Sequence, residues 1–264
     1  MTRARFALFG WLCCLSCSKP DAAPRRTEPW LAHPSASSSG GDMTGGPLNF
    51  HFAPDSSIRF TLLGKKAKLS GRVAVAGGGL RLEPHDLKSA NASVDVDLTT
   101  LSVEADALPQ RVELGGGSPS ALAQQWLGLG PQVAPEKRRE LGIARFELSS
   151  VEASSSPGLD LSAPRAKNHV RASVIGTLLL HGFRAPVRTD VVLTPLETSP
   201  GAPQRLSIRS QGALVVALAQ HDISARGPSG IADALAMARS ADWVGKSVRI
   251  EFELVAEADR PAAK

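Results

Sequence analysis

The chain has 264 residues, with 24 glycines, 19 prolines and no tyrosine. That length suffices for one large domain, and the abundance of turn formers suits many short strands. The formal charge of +5 is scattered along polar faces rather than gathered into a stripe, which argues against nucleic acid as a partner.

Residues 1–16 read as a bacterial export signal. Arg3 and Arg5 precede an apolar run over 6–15 that is too short to span a bilayer as a helix. The three cysteines, Cys13, Cys14 and Cys17, lie in or just behind this run, so the folded region holds no disulfide framework and no cysteine metal site. The tetrad Cys14-Leu15-Ser16-Cys17 resembles a lipoprotein signal-peptidase box, with Cys14 where leucine is usual. Cys17 is thus the expected lipid attachment point, and an ordinary cleaved signal is the competing reading. Acyl chains contribute about 0.8 kcal/mol per buried methylene, so several would hold the protein on a membrane. Ser18 follows the cysteine in place of an inner-membrane retention Asp. The expected location is the cell envelope, as a lipoprotein on the periplasmic side of the outer membrane or as a soluble periplasmic protein.

Residues 17–46 are polar and rich in Pro, Ser and Gly, and read as a flexible tether; 259–264 read as a disordered tail. Between them, 47–258 read as a single domain of strands. Ile58, Phe60 and Leu62 alternate with Arg59 and Thr61. Leu69 and Gly71 lead into Val73 and Val75. Val94, Val96 and Leu98 alternate with Asp95 and Asp97. Phe146 and Leu148 alternate with Glu147 and Ser149. Leu206 and Ile208 alternate with Ser207 and Arg209, and Val248, Ile250, Phe252 and Leu254 with Arg249, Glu251 and Glu253. Period-two alternation predicts strands with one dry and one wet face. Clusters at 77–79, 115–117, 154–158 and 199–203 are read as separators.

The clearest stretch is 174–193, read as a hairpin. Val170, Ala172, Val174, Gly176, Leu178 and Leu180 share one face of its first arm. Val187, Val191 and Leu193 alternate with Arg188 and Asp190 on the return, with Gly182 and Pro186 expected to bracket the connection. Residues 212–219 are apolar on both faces, which predicts a strand covered on its outside. Two stretches have helical spacing, 120–129 with Leu122, Trp126 and Leu129, and 230–240 with Ile231, Leu235 and Ala238. About eight half-wet antiparallel strands must close on themselves or stack, and closure leaves an interior that side chains fill or a small ligand occupies.

Catalytic and metal chemistry finds little support. His221-Asp222 invites a dyad, and hence a hydrolase, but no nucleophile motif accompanies it, and the pair reads as a solvent-facing loop. His169 and His181 read as strand-surface histidines rather than metal ligands with His221. Asp95 and Asp97 share a wet face. The glycine triplets are not followed by Lys-Ser/Thr and a helix, so no phosphate loop is read. The reading is of a protein that is not an enzyme and has no cofactor of its own.

Taken together, the segments over 49–257 resemble the YceI-like, lipocalin-like family of polyisoprenoid-binding proteins. The resemblance rests on Asp55-Ser56-Ser57-Ile58-Arg59-Phe60, Leu69-Ser70-Gly71-Arg72-Val73, the valine strand from Val94 to Leu101, Gln220-His221-Asp222-Ile223, and the closing Trp243-Val244-Gly245-Lys246-Ser247-Val248. The closest match is Val174-x-Gly176-x-Leu178-x-Leu180-His181-Gly182-Phe183-x-x-Pro186-Val187. Trp126 stands in place of the family's paired loop aromatics, and Ile223-Ser224 where Phe-Gly is usual. The resemblance implies an all-β fold: an extended antiparallel eight-stranded lipocalin-like barrel with one or two short helices in its connecting loops. It also implies an elongated apolar pore that takes an isoprenoid chain, such as a quinone tail or polyprenyl lipid. The candidates for the inward face are Phe60, Val96, Phe146, Val174, Leu178, Leu180, Val191 and Phe252, with Trp126 as a ligand contact from a lid. The competing class is a structural or interaction lipoprotein whose barrel is filled and whose loops bind a protein.

Overall fold

The dry face of the 170–180 arm is dry in three dimensions. The computed structural model describes residues 46–63, 68–104, 118–161, 169–199, 202–224 and 246–259. In it Val170, Ala172, Val174, Gly176, Leu178 and Leu180 are all buried, while the side chains between them face outward. The same two-residue period recurs in parts of β2, β3 and β7.

The elements in chain order are β1 (Leu48–Phe52), β2 (Ser57–Leu63), β3 (Lys68–Glu83), β4 (Asp86–Val103), α1 (Pro119–Trp126), α2 (Pro135–Leu141), β5 (Ile143–Ser154), β6 (Val170–Leu180), β7 (Phe183–Leu196), β8 (Arg205–Ser210), β9 (Leu214–Ala217), a 3₁₀ turn (Leu218–His221) and β10 (Ser247–Ala258). All pairings are antiparallel. Strands β2 through β8 pair in sequence order, and β10 returns to pair with both β8 and β2, which closes the sheet. The barrel has eight staves, two of them broken. β1 continues the stave of β2 between β10 and β3, and β9 continues that of β8 along β10. Closure removes the unpaired edges that an open sheet of this length would present.

Two separators read from the sequence behave otherwise. Gly77, Gly78 and Gly79 lie inside β3, which is 16 residues long and shifts register against β4 between Val75 and Gly77. Gly78 has φ +114, and a Cβ there would overlap the Ser93 carbonyl, so the glycines bend the strand without ending it. The β6–β7 connection is only His181-Gly182, both at positive φ (54 and 80), the signature of a type I′ hairpin turn. Pro186 belongs to β7, opposite Thr177. Its outer edge there has no strand partner among the described residues, so the missing N–H breaks no ladder.

α1 begins at Pro119 behind the cap Ser118, whose Oγ accepts from the Ala121 N–H at 3.1 Å. It is pinned across the end of β4: Ser120 Oγ accepts from the Val103 N–H at 2.9 Å, and Gln124 Nε2 donates to the Thr99 carbonyl at 2.9 Å. α2 forms where the sequence shows only a charged run; Pro135 starts it and Leu141 is its buried residue. The predicted 230–240 helix, the 115–117 triplet and Cys17 lie outside the described residues. In β9, Val216 is buried and Val215 is 58% exposed, so among the described residues nothing covers that outer face.

Toward the end away from α1 the barrel packs more closely. Phe50, Leu159, Leu206 and Ala256 are almost completely buried there, and Leu159 is tied to the β3–β4 turn through its N–H to the Pro84 carbonyl at 2.6 Å. At the α1 end the interior is not filled.

Candidate functional site: an apolar cavity inside the barrel

The barrel encloses a cavity of about 280 Å³. Its wall is drawn from the barrel staves, with Ala123, Trp126 and Leu127 closing over it from α1 and the turn behind it, and Leu218 and Ile223 from the 3₁₀ turn. Among the described residues Thr189 is the one polar residue on that wall. The lack of polar atoms follows from the sequence: in a closed sheet every second residue points inward, and the inward set here is Val, Leu, Ile, Phe and Ala. A dry space of this kind offers no hydrogen bonds and rewards the burial of hydrocarbon at about 25 cal/mol per Å².

All nine candidates, Phe60, Val96, Trp126, Phe146, Val174, Leu178, Leu180, Val191 and Phe252, stand on the cavity wall. Trp126 is buried, at 9% exposure, at the C-terminal end of α1. The structure adds two residues whose role alternation alone does not show. Gly71 and Gly176 occupy inward positions where an aromatic ring and a neighbouring backbone carbonyl, that of Ser102 or Glu147, leave no room for a Cβ. A Cβ on Gly71 would stand 2.5 Å from Cζ of Phe60, its direct cross-strand partner, and a Cβ on Gly176 would overlap Cε2 and Cζ of Phe146. The available signal was a glycine on the dry face of a strand, between Leu69 and Val73 in one case and Val174 and Leu178 in the other.

His181 and His221 do not lie where the sequence placed them. Neither is a surface residue: His221 is fully buried and His181 is 8% exposed. The type I′ turn carries His181 inward, and the 3₁₀ turn, ended by Asp222 at φ 51, carries His221 to meet it. Asp222 is exposed, so the adjacent pair diverges and makes no dyad. His181 Nδ1 lies 3.0 Å from the His221 carbonyl, and His221 Nδ1 lies 3.2 Å from the Leu180 carbonyl. Burial lowers the pKa of His221, against smaller opposing contributions from the Leu180 and Phe183 carbonyls. His169 is exposed and takes no part. Among the described residues no group of three or more His, Cys, Asp or Glu is placed to hold a metal.

The wet-face carboxylates are structural. Asp95 is opposite Arg145 across β4 and β5 and accepts a fork from it, 2.5 Å to Nε and 2.7 Å to Nη2. The hydrogen bond to Asp95 raises the Arg145 pKa, burial works against it, and the charges of Asp95 and Glu147 add to the rise. Asp97 Oδ1 accepts from the N–H and Oγ1 of Thr99, at 2.9 and 2.6 Å, which shapes the backbone beneath α1.

No protein-family model matches the sequence, and no curated protein matches it. A solved structure shares the architecture. A polyisoprenoid-binding domain from Saccharophagus degradans, implicated in plant cell wall breakdown, superposes with a TM-score of 0.50 over 80% of this chain and 99% of its own, at 16% identity. BcnA from Burkholderia cenocepacia is similar at a TM-score of 0.43, over 77% of this chain and 99% of its own, at 12% identity. At such identities the likeness is one of fold, and the fold is the antiparallel barrel that the YceI-like resemblance implied.

Proposed function

We propose that this chain binds the hydrocarbon part of an isoprenoid or other long-chain lipid inside its barrel, for sequestration or transfer in the bacterial cell envelope. The observation that carries the reading is the cavity itself: about 280 Å³ of space whose wall, among the described residues, holds one polar residue, Thr189. Filling it would have required only larger side chains at a few inward positions, and an empty apolar space costs packing energy. The Saccharophagus domain of like fold, described as polyisoprenoid-binding, supports the same reading. No catalytic residue enters this account, because holding a chain that makes no hydrogen bonds needs only dry surface. The export signal and Cys17 anchor supply the envelope location, with the 17–46 tether letting the barrel reach away from the membrane.

The test is uptake by purified, delipidated protein, read by native mass spectrometry and by fluorescence of Trp126 against a Trp126→Phe control. Stoichiometric retention of a prenyl lipid with a change in Trp126 emission is expected. No retained lipid by a folded barrel would refute the proposal.

A further inference from the structure

Two features of the cavity set how much chain it holds. The first is volume. A cavity of about 150 Å³ accepts benzene, so about 280 Å³ accommodates roughly eleven carbons at the same density. That is about two isoprene units, not the whole of a long polyprenyl tail. Its lining runs from Trp126 at the α1 end to Leu82 beside the β3–β4 turn, so the space is an elongated slot.

The second feature is how the slot is kept open. Phe60 and Phe146 each stand three residues in from the α1 end of their strands, Leu63 ending β2 and Ile143 beginning β5. They sit on wall segments three staves apart around the barrel, β2–β3 and β5–β6. Each ring lies against a glycine, Gly71 or Gly176, where a Cβ would collide with the ring and with a backbone carbonyl, that of Ser102 or Glu147. A phenylalanine against a glycine covers the gap in the wall with its ring face. Both rings stand on the cavity wall.

We infer that the Phe60–Gly71 and Phe146–Gly176 pairs fix the bore, and that the barrel selects lipids by a single enclosed chain of about ten to twelve carbons, with any further length lying outside. The inference rests on the lipid-binding reading and adds a length limit and the residues that impose it. While a chain is still entering the slot, each added methylene is buried and tightens binding about fourfold. Once the slot is full, further methylenes remain in water and add nothing.

The experiment is a titration of the full chain, stripped of lipid, with graded straight-chain and prenyl alcohols, in wild type and in Phe146→Ala, Phe146→Leu and Phe60→Leu. Thermal melting identifies the variants that fold. In wild type, affinity should climb about fourfold per methylene and level off near eleven carbons. In Phe146→Ala the break should move to longer chains by up to about six carbons, the number in the ring removed, with the leucine variants shifted less. Affinity that keeps climbing through the longest alcohols in wild type overturns the length limit. A break that stays in place in every folded Phe variant overturns the role of the rings. Failure of folded wild type to bind any alcohol would instead remove the lipid-binding reading itself.

Discussion

His181 and His221 brace each other across the wall of the barrel, His181 donating to the His221 carbonyl at 3.0 Å and His221 to the Leu180 carbonyl at 3.2 Å. A carbonyl only accepts, so Nδ1 of each ring carries a proton. The brace stands where the sheet needs one. Pairing between β7 and β8 ends at Val191, and Gln211 N–H closes the ladder onto the Asp190 carbonyl. Nearer α1, the 3₁₀ turn replaces a strand as the neighbour of β7, and its Leu218 and the following Ile223 face the cavity.

This arrangement makes stability depend on pH. The folded state holds His221 at a lowered pKa, so below about pH 6.5 the unfolded chain binds the proton that the folded chain refuses. The stabilisation is complete above that value and is lost as pH falls toward the folded pKa, by at most about 1.4 kcal/mol per pH unit for one group. His221→Asn retains a donor for Leu180 and removes the titration. Urea denaturation from neutral pH to about pH 5 should show a shallower loss of stability in the variant than in wild type. Equal slopes would show that His221 is not the responsible group.

The Asp95–Arg145 fork should behave as a structural pair. Both side chains are mostly shielded, at 21% and 16% exposure, so removing one partner leaves a poorly solvated charge. Asp95→Ala is expected to cost about 2 kcal/mol, and the Asp95→Ala, Arg145→Ala double variant less than the sum of the singles. Lipid uptake should be unaffected, since both groups face outward. Denaturation midpoints and an uptake assay check the two parts separately.

The strands were readable because a barrel wall obeys a local rule. Inward residues such as Val94, Val96 and Leu98 must be apolar and outward ones such as Asp95 and Asp97 can be polar, whatever the rest of the chain does. The same rule explains why the cavity was not readable. Leu206 packs solidly and Leu178 faces open space, yet both are leucines on a dry face; the difference lies in what stands across the barrel. His221 was misplaced for a related reason. Its burial depends on the β6–β7 turn, some 40 residues away in sequence, which brings Leu180 and His181 against it. Gly77–Gly79 read as a boundary because glycine serves both to end strands and to bend them.

A cavity-filling substitution separates packing from binding. Val96 lies on the wall and is only partly buried by neighbours, so Val96→Trp has room to enter the lumen. It should change stability by less than about 1 kcal/mol, below the usual cost of overpacking, while weakening chain uptake at least about tenfold. A large loss of stability would mean that the space is not available in solution.

The proposed anchor has its own readout. Cys17→Ser should release the protein from membranes and leave the barrel's melting temperature unchanged, because Cys17 lies outside the strands of the barrel. Continued sedimentation with membranes after the substitution would contradict acylation at Cys17.

The most direct test of the lipid-binding account is native mass spectrometry of the full chain taken from its own membranes in mild detergent. The account predicts one apolar lipid per chain, lost in Val96→Trp and regained by delipidated wild type on adding a prenyl alcohol. A folded wild-type barrel that emerges empty, and stays empty when that alcohol is supplied, would contradict it.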